Sequence, residues 1–156
     1  MIVVSNSSPL IALDSLGQIN LCDALFGTVL IPPAVGREAF QVRQRPSWIS
    51  ERNLAQPLSA AVLRGRLGAG EREAIALAIE LSADLLLMDD AAGRRAAVSV
   101  GLRVVGTFSI LLRAKEQQLI SAVKPLIDQL LVFGFHADEN LIADVLRFAG
   151  ESTTEN

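Results

Sequence analysis

Glu71, Asp89 and Asp90 are the residues on which chemistry would be built, because each stands where a plain solvent-facing acid is not expected. In the segment GEREAIALAIEL, residues 70–81, a helix turns about 100° per residue. Ala74, Ile75, Leu77, Ala78, Ile79 and Leu81 then fan over one apolar arc with Glu71 near its middle, while Glu73 and Glu80 point the other way beside Arg72. Burying an unpaired carboxylate costs several kcal/mol. A metal ion or a cationic partner would offset that cost. The competing reading makes Glu71 a first-turn acid favoured by the helix dipole, an effect of roughly 0.3–1 kcal/mol.

The other acids stand at strand ends. Residues 1–5, MIVVS, form a short apolar run followed by Asn6, Ser7, Ser8 and Pro9, a strand entering a helix with Ser8 as N-cap and Pro9 at the first helical position. A second run, Leu85 to Met88, ends in Asp89 and Asp90, and AAGRRAAV then starts a new helix. In a parallel α/β sheet such C-terminal ends line the crevice where ligands bind, so Asn6, Asp89 and Asp90 can converge across the sequence. Two carboxylates about 4 Å apart repel by ~4 kcal/mol at an effective dielectric of about 20. A divalent cation removes that penalty, and all-oxygen ligands point to Mg²⁺ or Mn²⁺ over Zn²⁺. Asp90 also qualifies as a plain N-cap; Asp89 is better explained by a ligand site.

At 156 residues the chain reads as one domain over 1–150 with a frayed tail over 151–156. Hydrophobic residues make up 51% and charged ones 20%, and no apolar run reaches the length of a membrane span. A soluble, cytoplasmic protein is expected. The single cysteine, Cys22, excludes an internal disulfide and reads as a small core residue, and the single histidine, His136, as a surface residue in a late turn. No cysteine–histidine or serine–histidine set follows. Arginine outnumbers lysine twelve to two and gathers at Arg37, Arg43, Arg45 and Arg52 and at Arg94 and Arg95, despite a net charge of −3. That distribution suits phosphate contacts beside an acidic site.

The remaining elements place these residues. PLIALDSLG and INLCDALFG read as helices closed by Gly17 and Gly27, TVLIPP as a second strand, and AVGREAF as a helical turn carrying Glu38. Residues 41–57 have no period and read as a loop pinned by Trp48 and Ile49, with Arg43, Arg45 and Arg52 facing a ligand or partner. LSAAVLRGRL reads as a helix, Leu102 to Val105 as a fourth strand, and GTFSILLRAKEQQL as a helix with Thr107 as N-cap. Two late amphipathic helices follow, with Val123, Leu126, Ile127 and Leu130 on one face and Leu141, Ile142, Val145 and Leu146 on the other. The alternation predicts an α/β fold with crossover connections.

With VSNSSPLIAL, IPPAVGREAF, GEREAIALAIEL, LLLMDDAAGRRAA and VVGTFSILLRAK in this order, nearly the whole chain resembles a PIN-domain-like protein, a relative of VapC-type toxins. The resemblance implies a three-layer α/β/α fold with a small parallel sheet of about four strands and extra C-terminal helices. It also implies a Mg²⁺- or Mn²⁺-dependent endoribonuclease, the toxin of a toxin–antitoxin pair. Glu38, Glu71, Asp89 and Asp90 take the catalytic acidic positions, with Asn6, Glu71, Asp89 and Asp90 as metal ligands. Ser8 and Thr107 become substrate-facing hydroxyls, beside Arg43, Arg45, Arg52 and Arg94 for RNA. A small antitoxin and a homodimeric partner are implied as well. Asn6 departs from the aspartate usual at its position, which weakens metal binding and leaves a catalytically weak RNA- or protein-binding module as the alternative. A phosphoacceptor receiver domain would carry its paired acids after the first strand, not late in the chain, and a plain scaffold leaves an inward Glu71 without a reason.

Overall fold

Five short strands, β1 (Val3–Ser5), β2 (Val29–Ile31), β3 (Ile49–Glu51), β4 (Leu85–Leu87) and β5 (Val104–Val105), pair in parallel in the order β3-β2-β1-β4-β5. The structure is a computed structural model that describes residues 1–56 and 67–151. Register is set at the centre, where Val3, Val4 and Ser5 face Leu85, Leu86 and Leu87 and Val4 also pairs with Leu30. Successive side chains on a strand point to opposite faces. Val3, Val29, Ile31, Leu85, Leu87 and Val105 accordingly enter one core cluster, while Val4, Leu86 and Met88 enter another. Both faces are therefore covered, which is why the strands read as unbroken apolar runs.

The helices make the outer layers. On the first face lie α1 (Ser7–Ser15), α2 (Asn20–Phe26), α6 (Thr107–Glu116), α7 (Lys124–Val132) and α8 (Glu139–Phe148), which supply Leu10, Leu13, Phe26, Ile110, Leu111, Ile127 and Val145 to the core. On the second lie α4 (Ala69–Glu80) and α5 (Ala91–Ser99), with Ile75, Leu77 and Ala97. Helix α3 (Pro33–Phe40) packs against both α1 and α4. This is the expected α/β/α arrangement, with five strands where about four were anticipated. The extra one, β3, lies inside the segment read as a loop. Three residues are too few to display a period, and only pairing with β2 reveals the strand.

Several local expectations shift. Helix α1 begins at Ser7 after Asn6, so Ser8 is not the N-cap and Pro9 occupies the third helical position. Its missing N–H costs nothing there, because the first-turn amides lack intrahelical acceptors anyway. Gly106 takes the N-cap position of α6 and Thr107 is the first helical residue. Gly17 and Gly27 have positive φ of 68° and 72°, which glycine adopts without a Cβ clash, and α1 and α2 stop there. In α4, Ile79 is 45% exposed and Ala76 is buried, because α3 and α5 cover this helix as well as β1 and β4. Glu73 and Glu80 do not simply face solvent. Glu73 accepts a hydrogen bond from the Ala34 amide at the start of α3 (3.0 Å), and Glu80 accepts from the amides of Ala55 and Gln56 (2.9 and 2.7 Å). The expected helix over 58–67 falls on 57–66, outside the described residues, apart from Leu67.

Cys22 is buried as expected, and burial pushes its thiol up to about 12, which removes it as a nucleophile. Trp48 and Ile49 do pack on the core. Glu151, one residue past the expected domain end, is held firmly. It accepts from Lys115 Nζ (2.7 Å) and from the amides of Val123 and Lys124 (2.8 and 3.0 Å), so it ties α6 to the start of α7. Burial alone would raise its carboxyl, but the Lys115 bond and the two amides outweigh it and hold the group below its ordinary value. A carboxylate with a depressed folded-state pKa stabilises fully above the unfolded pKa and loses that contribution as pH falls through the folded one. Glu151→Ala is expected to cost about 1.5–3 kcal/mol at neutral pH. The gap in melting temperature from the wild type should narrow on acidification below the carboxylate range, which thermal unfolding across pH would record.

Candidate active site

The order of strands reverses between β1 and β4, and the crevice outside their carboxyl ends is the natural ligand position of such a sheet. Asn6 leaves β1 there, with its amide donating to the Leu87 carbonyl at 2.8 Å. Its side chain is fully buried, and neither amide atom has a hydrogen-bond partner among the described residues. A buried polar group left unpaired costs about 1–3 kcal/mol, so a ligand that satisfied it would be favoured.

Ser7, the next residue, donates from Oγ to Glu38 Oε2 at 2.7 Å. This contact brings the acid of α3 to the β1 end. The Glu38 carboxylate lies against Gly70 at the start of α4, and a Cβ there would come within 2.5 and 2.6 Å of its two oxygens. One residue on, Glu71 is half-buried and accepts from the Gly68 amide at 3.3 Å, one half of a capping box whose return bond a glycine cannot make. Both readings of Glu71 thus have a structural counterpart. Its Cγ also faces Gly93, where an added Cβ would meet it at 3.5 Å and Asp90 Oδ2 at 3.3 Å. Asp90 itself caps α5 by accepting from the Gly93 amide at 2.7 Å.

Glu38, Glu71 and Asp90 share one pattern: each commits one carboxylate oxygen to a hydrogen bond and leaves the other without one among the described residues. Asp89 differs. Its Oδ1 accepts from the Thr107 amide (2.7 Å) and its Oδ2 from the Thr107 hydroxyl (2.6 Å), so it fastens α6 to the end of β4. Burial raises its carboxyl above the ordinary value, opposed by the two Thr107 bonds and by the charge of Arg94. Arg94 lies over Gly106, where a Cβ would meet its Nη1 at 2.5 Å and Asp89 Oδ1 at 2.9 Å.

Among the described residues no three acidic, histidine or cysteine side chains close tightly enough on one point to hold a metal by themselves. Mg²⁺ does not need that, since it keeps several waters and is bound through one or two carboxylates. The donor chemistry fits such a hydrated ion: half-engaged carboxylates on the helices that flank the strand ends, and an orphaned amide at the end of β1 whose oxygen can accept and whose nitrogen can donate.

The substrate candidates divide. Ser8 is exposed on the first turn of α1 and Arg94 stands at the crevice beside Asp89, whereas Thr107 is fully buried with its hydroxyl donated to Asp89, so it does not face a substrate as expected. Arg43 pairs with Asp14 at 2.9 Å and Arg45 with Glu51 at 3.4 Å, which lessens the free positive charge that the 41–56 segment offers. Arg52 is exposed at the end of β3. Ser7, Gly70, Gly93 and Gly106 escaped the sequence reading. For Gly70 and Gly93 the available signal was their place at helix starts beside acidic residues, where a close approach leaves no room for a side chain, whereas Gly106 has no acid near it in the sequence.

A PilT N-terminus domain protein from the hyperthermophilic archaeon Sulfolobus solfataricus has a similar fold, at 18% identity with a TM-score of 0.51, over 73% of this chain and 93% of that one. No curated protein matches the chain. A family model described as a PIN domain matches residues 2–151. A parallel sheet with acids at its carboxyl ends is the nuclease-type fold of that family, whose members typically depend on divalent metal, and the chain belongs to the PIN-domain family.

Proposed function

We propose that the protein is a Mg²⁺- or Mn²⁺-dependent endoribonuclease. The observations that carry this reading are the approach of Glu71 and Asp90 at Gly93, each with one carboxylate oxygen unbonded among the described residues, and the buried Asn6 amide at the end of β1, which has no partner among them either. Glu71 and Asp90 would hold the ion with Asn6, and Glu38 would be kept in place by Ser7. When bound, the ion would neutralise charge on the phosphodiester and lower the pKa of the attacking water. Asp89 acts as a positioning residue that fixes α6, while Arg94 meets the RNA phosphate.

The resemblance to VapC-type toxins extends the reading to the toxin of a toxin–antitoxin pair in the cytoplasm. No helix among the described residues is long and apolar enough to cross a membrane. Val132 and Phe133 at the end of α7 and Phe148 at the end of α8 are 83%, 59% and 82% exposed, an apolar surface that a second copy or a small antitoxin would cover. One observation favours the alternative of a catalytically weak RNA-binding module: Asn6 brings no charge to the ion.

The test is cleavage of single-stranded RNA with Mg²⁺ or Mn²⁺ against EDTA. Glu71→Gln and Asp90→Asn are expected to lose at least about tenfold to a hundredfold, the scale on which disturbed metal centres respond. Asp89→Asn keeps an acceptor for the Thr107 amide and should cost less. Cleavage that persists unchanged in EDTA would remove the metal, and equal losses at Asp89 and Asp90 would put both on the ion.

A further inference from the structure

A cavity of about 430 Å³ shares Asp89 with the crevice and lies between the starts of α5 and α6, the loop after α7, and α8. Its volume is in the range of small-ligand pockets. Phe108 and Phe135 line it with ring centroids 5.4 Å apart and planes tilted by 39°. Arg94, Arg95 and His136 add basic groups, with Asp89 the only acid among the described residues of the wall. Ser109 contributes a hydroxyl. An apolar ligand would leave the guanidinium groups without a counter-charge. A bare phosphate would leave the aromatic wall unused. A nucleotide uses both, because its base has a π-face for stacking and its phosphate accepts from arginine.

Phe135 and His136 also line a second cavity of about 360 Å³, beside Ser8 and Leu130. The two residues therefore border neighbouring cavities, one of which Asp89 also lines. Consecutive nucleotides of a strand require such an arrangement, whereas a free nucleotide needs one cavity only.

We propose that the Phe135–His136 cavity is a nucleobase subsite for a single-stranded RNA, with Arg94 and Arg95 on the phosphate and Phe135 and His136 against the base. This rests on the ribonuclease reading and names the part of the substrate that the site selects. Each stacked base is worth enough that losing its aromatic partner weakens binding by about tenfold or more.

Titration calorimetry in EDTA, where no metal-dependent cleavage occurs, tests the subsite with adenosine and uridine 5′-monophosphate, ribose 5-phosphate and an RNA tetranucleotide. The tetranucleotide is expected to bind tightest, and the monophosphates about tenfold more tightly than ribose 5-phosphate. Phe135→Leu keeps apolar volume while removing the π-face, and His136→Ala changes an exposed residue. Both should bring the monophosphates down to the level of ribose 5-phosphate. Monophosphates that bind no better than ribose 5-phosphate, or variants that bind like the wild type, overturn the proposal. A monophosphate that binds as tightly as the tetranucleotide overturns the assignment to a strand. Failure of the ribonuclease reading appears separately, as a wild-type protein that binds the tetranucleotide and does not cleave RNA when Mg²⁺ or Mn²⁺ is added.

Discussion

Asn6→Asp is expected to bind Mn²⁺ or Mg²⁺ at least about tenfold more tightly than the wild type, and to be the less stable protein when no ion is present. Both effects follow from one change. The side chain is fully buried and has no partner among the described residues, so an added carboxylate finds nothing there to satisfy it, and an uncompensated buried charge costs several kcal/mol. With a divalent cation nearby the same charge turns attractive, and even at an effective dielectric of about 20 the Coulomb term at about 4 Å amounts to several kcal/mol. The ion binds the folded state alone, so the lost stability should return as its concentration rises above Kd. Calorimetric titration paired with thermal unfolding, with and without Mn²⁺, reads both arms. A variant whose melting temperature ignores Mn²⁺ would place Asn6 outside the metal's reach. RNA cleavage should rise alongside affinity.

Gly70→Ala is expected to reduce cleavage by about 10²-fold without unfolding the protein, the loss that a displacement of about 1 Å at a catalytic group can produce. The added methyl would occupy space now held by both oxygens of Glu38, at 2.5 and 2.6 Å, so the carboxylate must swing away and release Ser7. The helix itself gains, because alanine in a helical conformation leaves less entropy in the unfolded chain than glycine, worth about 0.4–1 kcal/mol. Stability should consequently change little while activity falls. A double-mutant cycle isolates the cause: in a Glu38→Ala background the Gly70→Ala change should have no further effect on cleavage. If the two losses instead add, Gly70 acts through something other than Glu38.

Legibility from sequence follows the range of the interaction. The strands β1, β2 and β4, buried on both faces, read directly as apolar runs, and the N-cap role of Asp90 was open to view because a cap acts within one helical turn. Glu71, Asp89 and Asp90 could be picked out as acids at a helix start and a strand end, and Glu38 through the resemblance to PIN-domain-like proteins. What sequence could not convey is the division of labour among them. Asp89 lies eighteen residues from Thr107 and Glu38 thirty-one from Ser7, and no local pattern reports which oxygen is already bonded.

The inward arc of α4 was misplaced for the same reason, since Ala76 and Ile79 exchange roles only because neighbouring helices cover α4 from two sides. Glu73 and Glu80 looked like solvent-facing acids on a helical wheel, yet each binds backbone amides that the fold brings to them. Composition and periodicity by themselves determined the class of fold and singled out acids on which chemistry could be built, because burial periods and carboxylate charge are local properties. Only the tertiary structure decided that Asn6 stands buried without a partner among the described residues, that Asp89 spends both oxygens on Thr107, and that Phe135 and His136 line two cavities, one of which reaches Asp89. Each of those outcomes depends on elements far apart in the chain meeting at one edge of the sheet.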